Sequence, residues 1–359
     1  MISGELISHP QEIPLCEQHF LDYAKTRDFG DLHFKIDPKT GMLAIIAIHN
    51  TNLGPALGGC RFIEYPDINS AIVDAMRLAR GMSYKAASVG LPLGGGKSVI
   101  IKPQKNFDRK AYFHAFGKFV EELNGRYITA LDSGTELADM DIIYEHTKHV
   151  ASLSASNGDP SPYTALGVLR GLEAAVQHKF QTESLEGLTV AIQGLGHVGM
   201  HLAELLHHRG AKLIVADINP SNVQKAETNL HASSVSTSEI HRVDCDIFSP
   251  CALGAILNDN TIAELQAPII AGAANNQLAR STHGQMLHDR GILLAVDYVI
   301  NSGGLIFAAS QYLQKDMEAV KLKVDGIRDA MLDIFRRSKE QDKPTSVIAD
   351  QRAYEKIFA

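Results

Sequence analysis

The feature that most constrains this chain is a glycine turn set between two kinds of periodicity. LTVAIQG (188–194) is a short apolar run of strand character, HVGMHLAELLHHRG (197–210) carries helical spacing and ends in Gly, and KLIVAD (212–217) is strand-like again. Strand, helix and strand within about thirty residues make a βαβ unit, which implies a parallel pair and a right-handed crossover. The turn that opens the helix is Gly194-Leu195-Gly196-His197-Val198-Gly199, a full G-x-G-x-x-G, and Asp217 ends the second strand, followed by Ile218. In that setting the first two glycines let the backbone approach a pyrophosphate on the helix N-terminus, and the third lets helix and sheet close together. Asp217 would accept hydrogen bonds from ribose hydroxyls and repel a 2′-phosphate, so the expected cofactor is NAD rather than NADP. The bland alternative is a glycine turn in an unrelated βαβ unit.

The rest of the chain divides near residue 155, at SASNGDPSP (154–162), a cluster of turn formers. Upstream, MLAIIAIHN (42–50), SVIIK (98–102) and RYITA (126–130) read as strands, with helices over 70–88 and within 104–124. Downstream, CDIF (245–248), PIIAG (268–272) and ILLAVDYVI (292–300) read as further strands, followed by a charged helix over 315–339 and a polar tail. The expected fold class is α/β with two domains separated by a cleft. The first, 1–150, is an α/β unit, and the second, 151–329, is a Rossmann-type doubly wound sheet.

Composition excludes several classes. The chain has 359 residues, enough for two cores, with 41 Asp+Glu against 34 Lys+Arg and a net charge of −7, so nothing in it attracts nucleic acid or an anionic membrane. No apolar run approaches the ~18–20 residues that span a bilayer. The leading MISGELISHPQEIPLCEQHF lacks the apolar core of a secretory signal. Cys16, Cys60, Cys245 and Cys251 are scattered without a C-x-x-C pair, and the 16 His include no H-E-x-x-H. The expectation is a soluble cytoplasmic protein with no metal.

The most unusual local string is Gly90-Leu91-Pro92-Leu93-Gly94-Gly95-Gly96-Lys97-Ser98. It ends like a phosphate-binding P-loop, but that loop needs Gly at 91 and a helix after the lysine, where this chain has Leu91 and the strand Val99-Ile100-Ile101. The glycines instead strip side chains from around one lysine at a strand entrance; packed in apolar surroundings, such an ammonium loses its proton near neutral pH and suits proton transfer. A surface lysine after a flexible turn is the plain alternative. Lys85 at the end of the 70–88 helix and Asp132 just beyond the strand at 126–130 argue for the active reading. Two lysines and a carboxylate suit an amino acid, one lysine for its carboxylate and an acid/base pair for its α-amino carbon. Spacing does not establish that they converge.

At these residues the chain resembles the Glu/Leu/Phe/Val amino-acid dehydrogenases, above all the leucine dehydrogenase branch. The resemblance runs through GPALGGCR (54–61), RLARGMSYK (77–85), LGGGKSVII (93–101), NGRYITALDSGT (124–135), DMDIIYEHT (139–147), GDPSPYTALGV (158–168), QGLGHVGMHLAELL (193–206), LIVADIN (213–219), AGAANNQL (271–278) and DYVINSGGLI (297–306). Matched motif by motif, it implies that Lys85 holds the substrate carboxylate, Lys97 does acid/base work, and Asp132 transfers protons and meets the amine. It places Thr164, Ala274, Asn275 and Asn276 beside the nicotinamide. The pocket it implies includes Leu57, Gly58, Met82, Ala130, Leu305 and Ala308. Glutamate-specific relatives carry a lysine where this chain has Leu57, which disfavours glutamate. Ala130 is the leucine-branch choice, whereas Leu305 looks more like the phenylalanine branch, with Ala308 opening space beside it.

The resemblance also implies a first domain completed by the C-terminal helix (330–359), an inserted NAD domain, hinge closure of the cleft, and a homo-oligomer built through the first domain. The activity implied is reversible oxidative deamination of an apolar L-amino acid, leucine or another branched-chain residue, to the 2-oxo acid and ammonia. A phenylalanine or tryptophan dehydrogenase is the alternative within the family, and an inactive NAD-binding regulator the alternative outside it. A regulator would have no need of Lys85, Lys97 and Asp132 together. This chain departs from the family at Leu131-Asp132-Ser133, where Glu-Asp-Val is common, and in a short stretch at 151–157.

Overall fold

The computed structural model describes residues 19–156 and 158–359, so the leading segment, Cys16 and Asn157 of the dividing turn lie outside the described residues. The first sheet holds β1 (Asp31–Asp37), β2 (Met42–Asn50), β3 (Ala56–Ile63), β4 (Gly94–Ile101) and β5 (Tyr127–Leu131), in the order β1-β2-β4-β3-β5. β1 and β4 run antiparallel to β2, while β4, β3 and β5 are mutually parallel. The apolar run of β2 buries both faces. Met42, Ala44, Ile46 and Ile48 pack with α3 (Arg109–Glu122) and α4 (Leu137–Tyr144) through Phe113, Phe116 and Ile143, whereas Ile45 and Ala47 meet α2 (Ile68–Ser88) through Ala71, Ala75 and Met76. This two-sided burial explains why the run is continuous rather than alternating. A short α1 (Phe20–Thr26) closes the α2 side.

The second sheet is wholly parallel: β6 (Thr189–Gln193), β7 (Lys212–Ala216), β8 (Ser233–Ser234), β9 (Ile247–Pro250), β10 (Ile269–Ile270) and β11 (Leu293–Leu294), ordered β11-β10-β9-β6-β7-β8. That is the doubly wound order, with its reversal between β6 and β9, where such sheets bind ligands outside the strand ends. Its helices are α5 (Ser161–Phe180), α6 (His197–His208), α7 (Pro220–Leu230), α8 (Asp259–Glu264), α9 (Thr282–Asp289), α10 (Asp297–Ile300) and α11 (Gly303–Tyr312). One apolar cluster runs from Leu57, Ile128 and Ala130 of the first sheet through Val168 and Leu172 of α5 to Val190 and Ile192 of the second. The two sheets are thus joined by apolar packing through α5.

Three expectations need correction. The strand expected at 98–102 starts at Gly94, so Lys97 stands inside it rather than at its entrance. The apolar run 292–300 is strand only at Leu293–Leu294 and turns helical at Asp297–Ile300; a short apolar run does not distinguish a buried strand from a buried helix. The polar tail is a helix. α12 (Met317–Gln341) stops at Asp342, whose backbone is left-handed (φ 51°), Pro344 follows, and α13 (Thr345–Phe358) buries Ile348, Ala349, Ala353 and Ile357. The single helix expected over 330–359 is therefore two, α12 lying on α5 and α13 on α2. α5 and β3 carry the site as well and were read from sequence only as motifs.

Candidate active site

Period-2 alternation puts Leu57, Gly59 and Arg61 of β3, Gly95, Lys97 and Val99 of β4, and Ile128 and Ala130 of β5 on the face of the first sheet that α2 covers. The register agrees, pairing Leu57 with Gly95 and Ile128, Gly59 with Ala130, and Arg61 with Val99. The glycines here are about space. A Cβ on Gly95 would run into Ser83 of α2, one on Gly96 would lie 2.7 Å from the Tyr127 ring, and one on Gly59 would meet the Asp132 carboxylate. The glycines read as stripping side chains from around Lys97 do so within a strand, where they leave room for a helix and a ring, as Gly59 of β3 leaves room for a carboxylate.

Lys97 is 5% exposed, and its Nζ contacts the Asp132 carboxylate. Burial, reinforced by the charge of Arg61 and opposed by Asp74, brings its ammonium down to about 7. Asp132 follows β5 in a tight turn. Its Oδ1 accepts the Ser133 N–H, its own N–H donates to Thr135 Oγ1 at 3.0 Å, and Gly134 takes φ 82°. Half-buried Lys85, in the last turn of α2, is lowered to about 8 by burial, with the Asp297 carboxylate opposing. Lys97 and Asp132 thus meet on the α2 face, and the charge of Lys85 on α2 opposes a proton on Lys97.

Leu57, Ala130, Leu305 and half-buried Met82 share one apolar cluster, while Ala308 is half-buried and outside it. Gly58 falls on the opposite face of β3, because the alternation that points Leu57 and Gly59 toward α2 turns it toward Tyr127, whose hydroxyl donates to its carbonyl at 2.8 Å.

At the second sheet Gly194 takes φ 96°, and a Cβ on Gly199 would collide with the Gly194 carbonyl, so helix and turn are in contact as the third glycine allows. A Cβ on Gly196 would meet nothing within 4 Å, and no side chain caps the N-terminus of α6. This open, amide-lined start of a helix at the sheet's reversal point fits a pyrophosphate. Leu195 is buried, Val198 is half-buried, and His197 is 86% exposed at the rim. Asp217 accepts the N–H groups of Leu195 and Asn219, and Ile218 beside it is 91% exposed. The residues present fit a dinucleotide.

Beyond β10, buried Ala274 donates its N–H to Pro250, and exposed Asn275 and Asn276 form a turn in which Asn276 is left-handed (φ 52°). Thr164, in the first turn of α5, hydrogen-bonds the Pro160 carbonyl at 3.1 Å and lies against Gly304 of α11. Two residues not singled out in the sequence complete this end. Asn301 is 4% exposed, donates to Asn275 Oδ1 at 2.8 Å, and keeps its own Oδ1 buried without a partner. Asp297 accepts the N–H of Gln277 and Tyr298. Both stand in the DYVINSGG string already quoted. Among the described residues one group, His114, Glu145 and His146, could supply three metal ligands; it lies on the α3 side of the first sheet, away from the lysines.

Comparison with known proteins decides the family. A profile described as Glu/Leu/Phe/Val dehydrogenase, dimerisation domain, matches residues 30–149, and one described as Glutamate/Leucine/Phenylalanine/Valine dehydrogenase matches 156–221 and 216–358. The chain belongs to the Glu/Leu/Phe/Val dehydrogenase family. A leucine dehydrogenase of Geobacillus stearothermophilus is 49% identical, over 93% of this chain and 92% of its own. A phenylalanine dehydrogenase of Caldalkalibacillus thermarum is 40% identical over 89% of each. The crystal structure of L-tryptophan dehydrogenase from Nostoc punctiforme superposes with a TM-score of 0.87 at 42% identity, covering 94% of this chain and 98% of that one. As a member of this family the chain is an amino-acid dehydrogenase. Among the described residues no helix is long and apolar enough to cross a membrane.

Proposed function

We propose that this protein catalyses NAD-dependent, reversible oxidative deamination of L-leucine and related branched-chain amino acids to the 2-oxo acid and ammonia. The observation that carries the reading is the buried contact between Lys97 and Asp132 on the α2 face of the first sheet, with the charge of Lys85 beside it. When bound, the nicotinamide accepts the substrate's α-hydrogen as hydride; water and the released ammonia balance the reaction. Lys85 holds the substrate carboxylate. Neutral Lys97 takes a proton from the water that adds to Cα, and Asp132 passes protons to and from the departing amine. Asp217 reads the ribose hydroxyls, and Thr164, Ala274, Asn275 and Asn276 frame the nicotinamide end.

Leucine is favoured because Leu57, buried in an apolar cluster with Ala130 and Leu305, would leave a glutamate carboxylate unpaired at a cost of several kcal/mol. Identity to leucine dehydrogenase, at 49%, exceeds that to phenylalanine dehydrogenase, at 40%. We assign residues 1–150, with α13, to the substrate-binding unit and 151–329 to the nucleotide unit, with closure of the cleft excluding water. Phe34 and Ile36 of the edge strand β1, 48% and 67% exposed, support a homo-oligomer built through the first unit. Unpaired Cys60, Cys245 and Cys251 suit a reducing, cytoplasmic compartment.

The test is NADH formation from NAD+ with leucine, isoleucine, valine, phenylalanine, tryptophan and glutamate, with Lys97→Ala run beside it. Preference for the first three supports the reading. A clear aromatic preference would replace leucine by phenylalanine or tryptophan and make Leu305 and Ala308 specificity residues.

A further inference from the structure

Arg61 lies in none of the roles assigned above, yet it stands behind the reacting pair. It shares the α2 face of the first sheet with Lys97, opposite Val99 in the β3–β4 register. Its Nη1 is held 2.7 Å from Asp74 Oδ2 on α2, and the Tyr65 hydroxyl donates to the same oxygen at 2.6 Å. The guanidinium is thereby moored from one side. On the other side its Nε is buried, makes no hydrogen bond, and lies 3.9 Å from Asp132 Oδ1. Asp132 Oδ2 is the oxygen that meets Lys97. One carboxylate is thus placed between an arginine fixed at its far end and the lysine that does the chemistry.

We propose that Arg61 is a positioning residue for the Lys97–Asp132 pair, moored to Asp74 so that its guanidinium fixes the lie of the Asp132 carboxylate and sets the positive field at Lys97. The proposal rests on the reading of Lys97 and Asp132 given above. A separation of 3.9 Å is long for a hydrogen bond, but such contacts tighten when substrate is bound, and the unpartnered Nε is the group available to follow Asp132 as it turns.

The charges that face Lys97 give the proposal a sign. Asp132 comes from the exit of β5, Arg61 and Cys60 from β3, and Asp74 and Lys85 from α2. Arg61 and Lys85 disfavour the ammonium, whereas Asp74 favours it; the buried Cys60 thiol, pushed up to about 12, is uncharged where Lys97 titrates. Arg61 and Asp74 are partners in one ion pair, so a purely structural role predicts the same consequence from losing either. An electrostatic role predicts opposite consequences at Lys97.

The experiment is the pH dependence of kcat/KM for leucine deamination in the full-length protein and in the R61Q, R61K and D74N variants, with NADH affinity and Tm recorded for each. Lys97 must be neutral to accept a proton, so activity falls as pH drops through about 7. R61Q removes a charge that disfavours protonation, and its acid limb should move up by about one unit. D74N removes a charge that favours protonation, and its limb should move down. R61K should keep the limb near its original place while kcat falls, because the charge survives and the planar fork does not. Limbs that stay put in both R61Q and D74N, or move in the same direction, overturn the proposal; since D74N and R61K are informative alone, an R61Q that fails to fold does not rescue it. Undiminished turnover in Lys97→Ala would instead defeat the reading of the pair itself.

Discussion

Replacing Gly59 with Ala puts a methyl group where the Asp132 carboxylate lies. An ideal Cβ there would stand 2.8 Å from Asp132 Cβ and 2.9 Å from its Cγ, against ordinary contacts that begin at 3.4 Å. The carboxylate must retreat by roughly 0.6 Å or more, since side chains in such sites are packed without slack. β3 does not give way readily, because it is paired on both sides, with β4 and with β5. The Asp132 main chain is also held, by Thr135 and by the bond from the Phe62 N–H to the Ser133 carbonyl at 2.9 Å. The side chain therefore turns, and Oδ2, the oxygen that meets Lys97, is the atom nearest the added methyl. Misplacing a reacting group by about 1 Å costs on the order of 10²-fold in rate, which is about 2.7 kcal/mol of barrier. Gly59→Ala should lower kcat by about 10²-fold and Tm by only a few degrees, with NADH affinity unchanged, because the nucleotide turn lies on the other sheet. Steady-state NADH formation, NADH titration and a thermal melt measure all three. Gly326→Ala is the control: its added methyl meets nothing within 4 Å on α12, so turnover should hold. Turnover of Gly59→Ala within about fivefold of the parent would show that the contact between Lys97 and Asp132 is not what sets the rate.

Two further outcomes test the ends of the site. Lys85→Ala should raise KM for leucine by about 10²-fold or more, since a desolvated carboxylate loses its ion pair, while leaving the dissociation constant of NADH alone; an unchanged KM would take Lys85 out of substrate binding. Asp217→Ser should narrow the preference for NAD over NADP, read as the ratio of kcat/KM values, and an unchanged ratio would mean that the 2′-hydroxyl is recognised elsewhere.

The two halves of the molecule differ in how far they could be read from sequence. The nucleotide site is a local structure: strand, turn, helix and strand from Thr189 to Ala216 contain both the glycines and the approach to Asp217. Its geometry follows from neighbours in the chain, and the motif with its context was enough. The catalytic side is assembled from α2, β3, β4 and the turn after β5, and nothing local ties Lys97 to Asp132. The residue types were visible and their convergence was not. Resemblance to a family supplied it, and the structure then gave a physical account of it.

The errors have causes of the same kind. Glycine signals either backbone freedom or absence of volume; the run Gly94–Gly96 was read as the second, and Ser83 and Tyr127 fill the space it leaves, but it was placed before a strand that in fact begins at Gly94. Not counting glycine-rich residues as strand hid β3 as well, since GPALGGCRFI has too many glycines for an obvious strand, although its glycines are what let β4 and Asp132 approach. Once Ala56–Ile63 is a strand, parity alone separates Leu57, Gly59 and Arg61 from Gly58. It puts Arg61 on the lysine face and turns Gly58 away from it. The arginine that the structure places behind the catalytic pair was therefore encoded in the alternation of β3, and it stayed unread because the strand did.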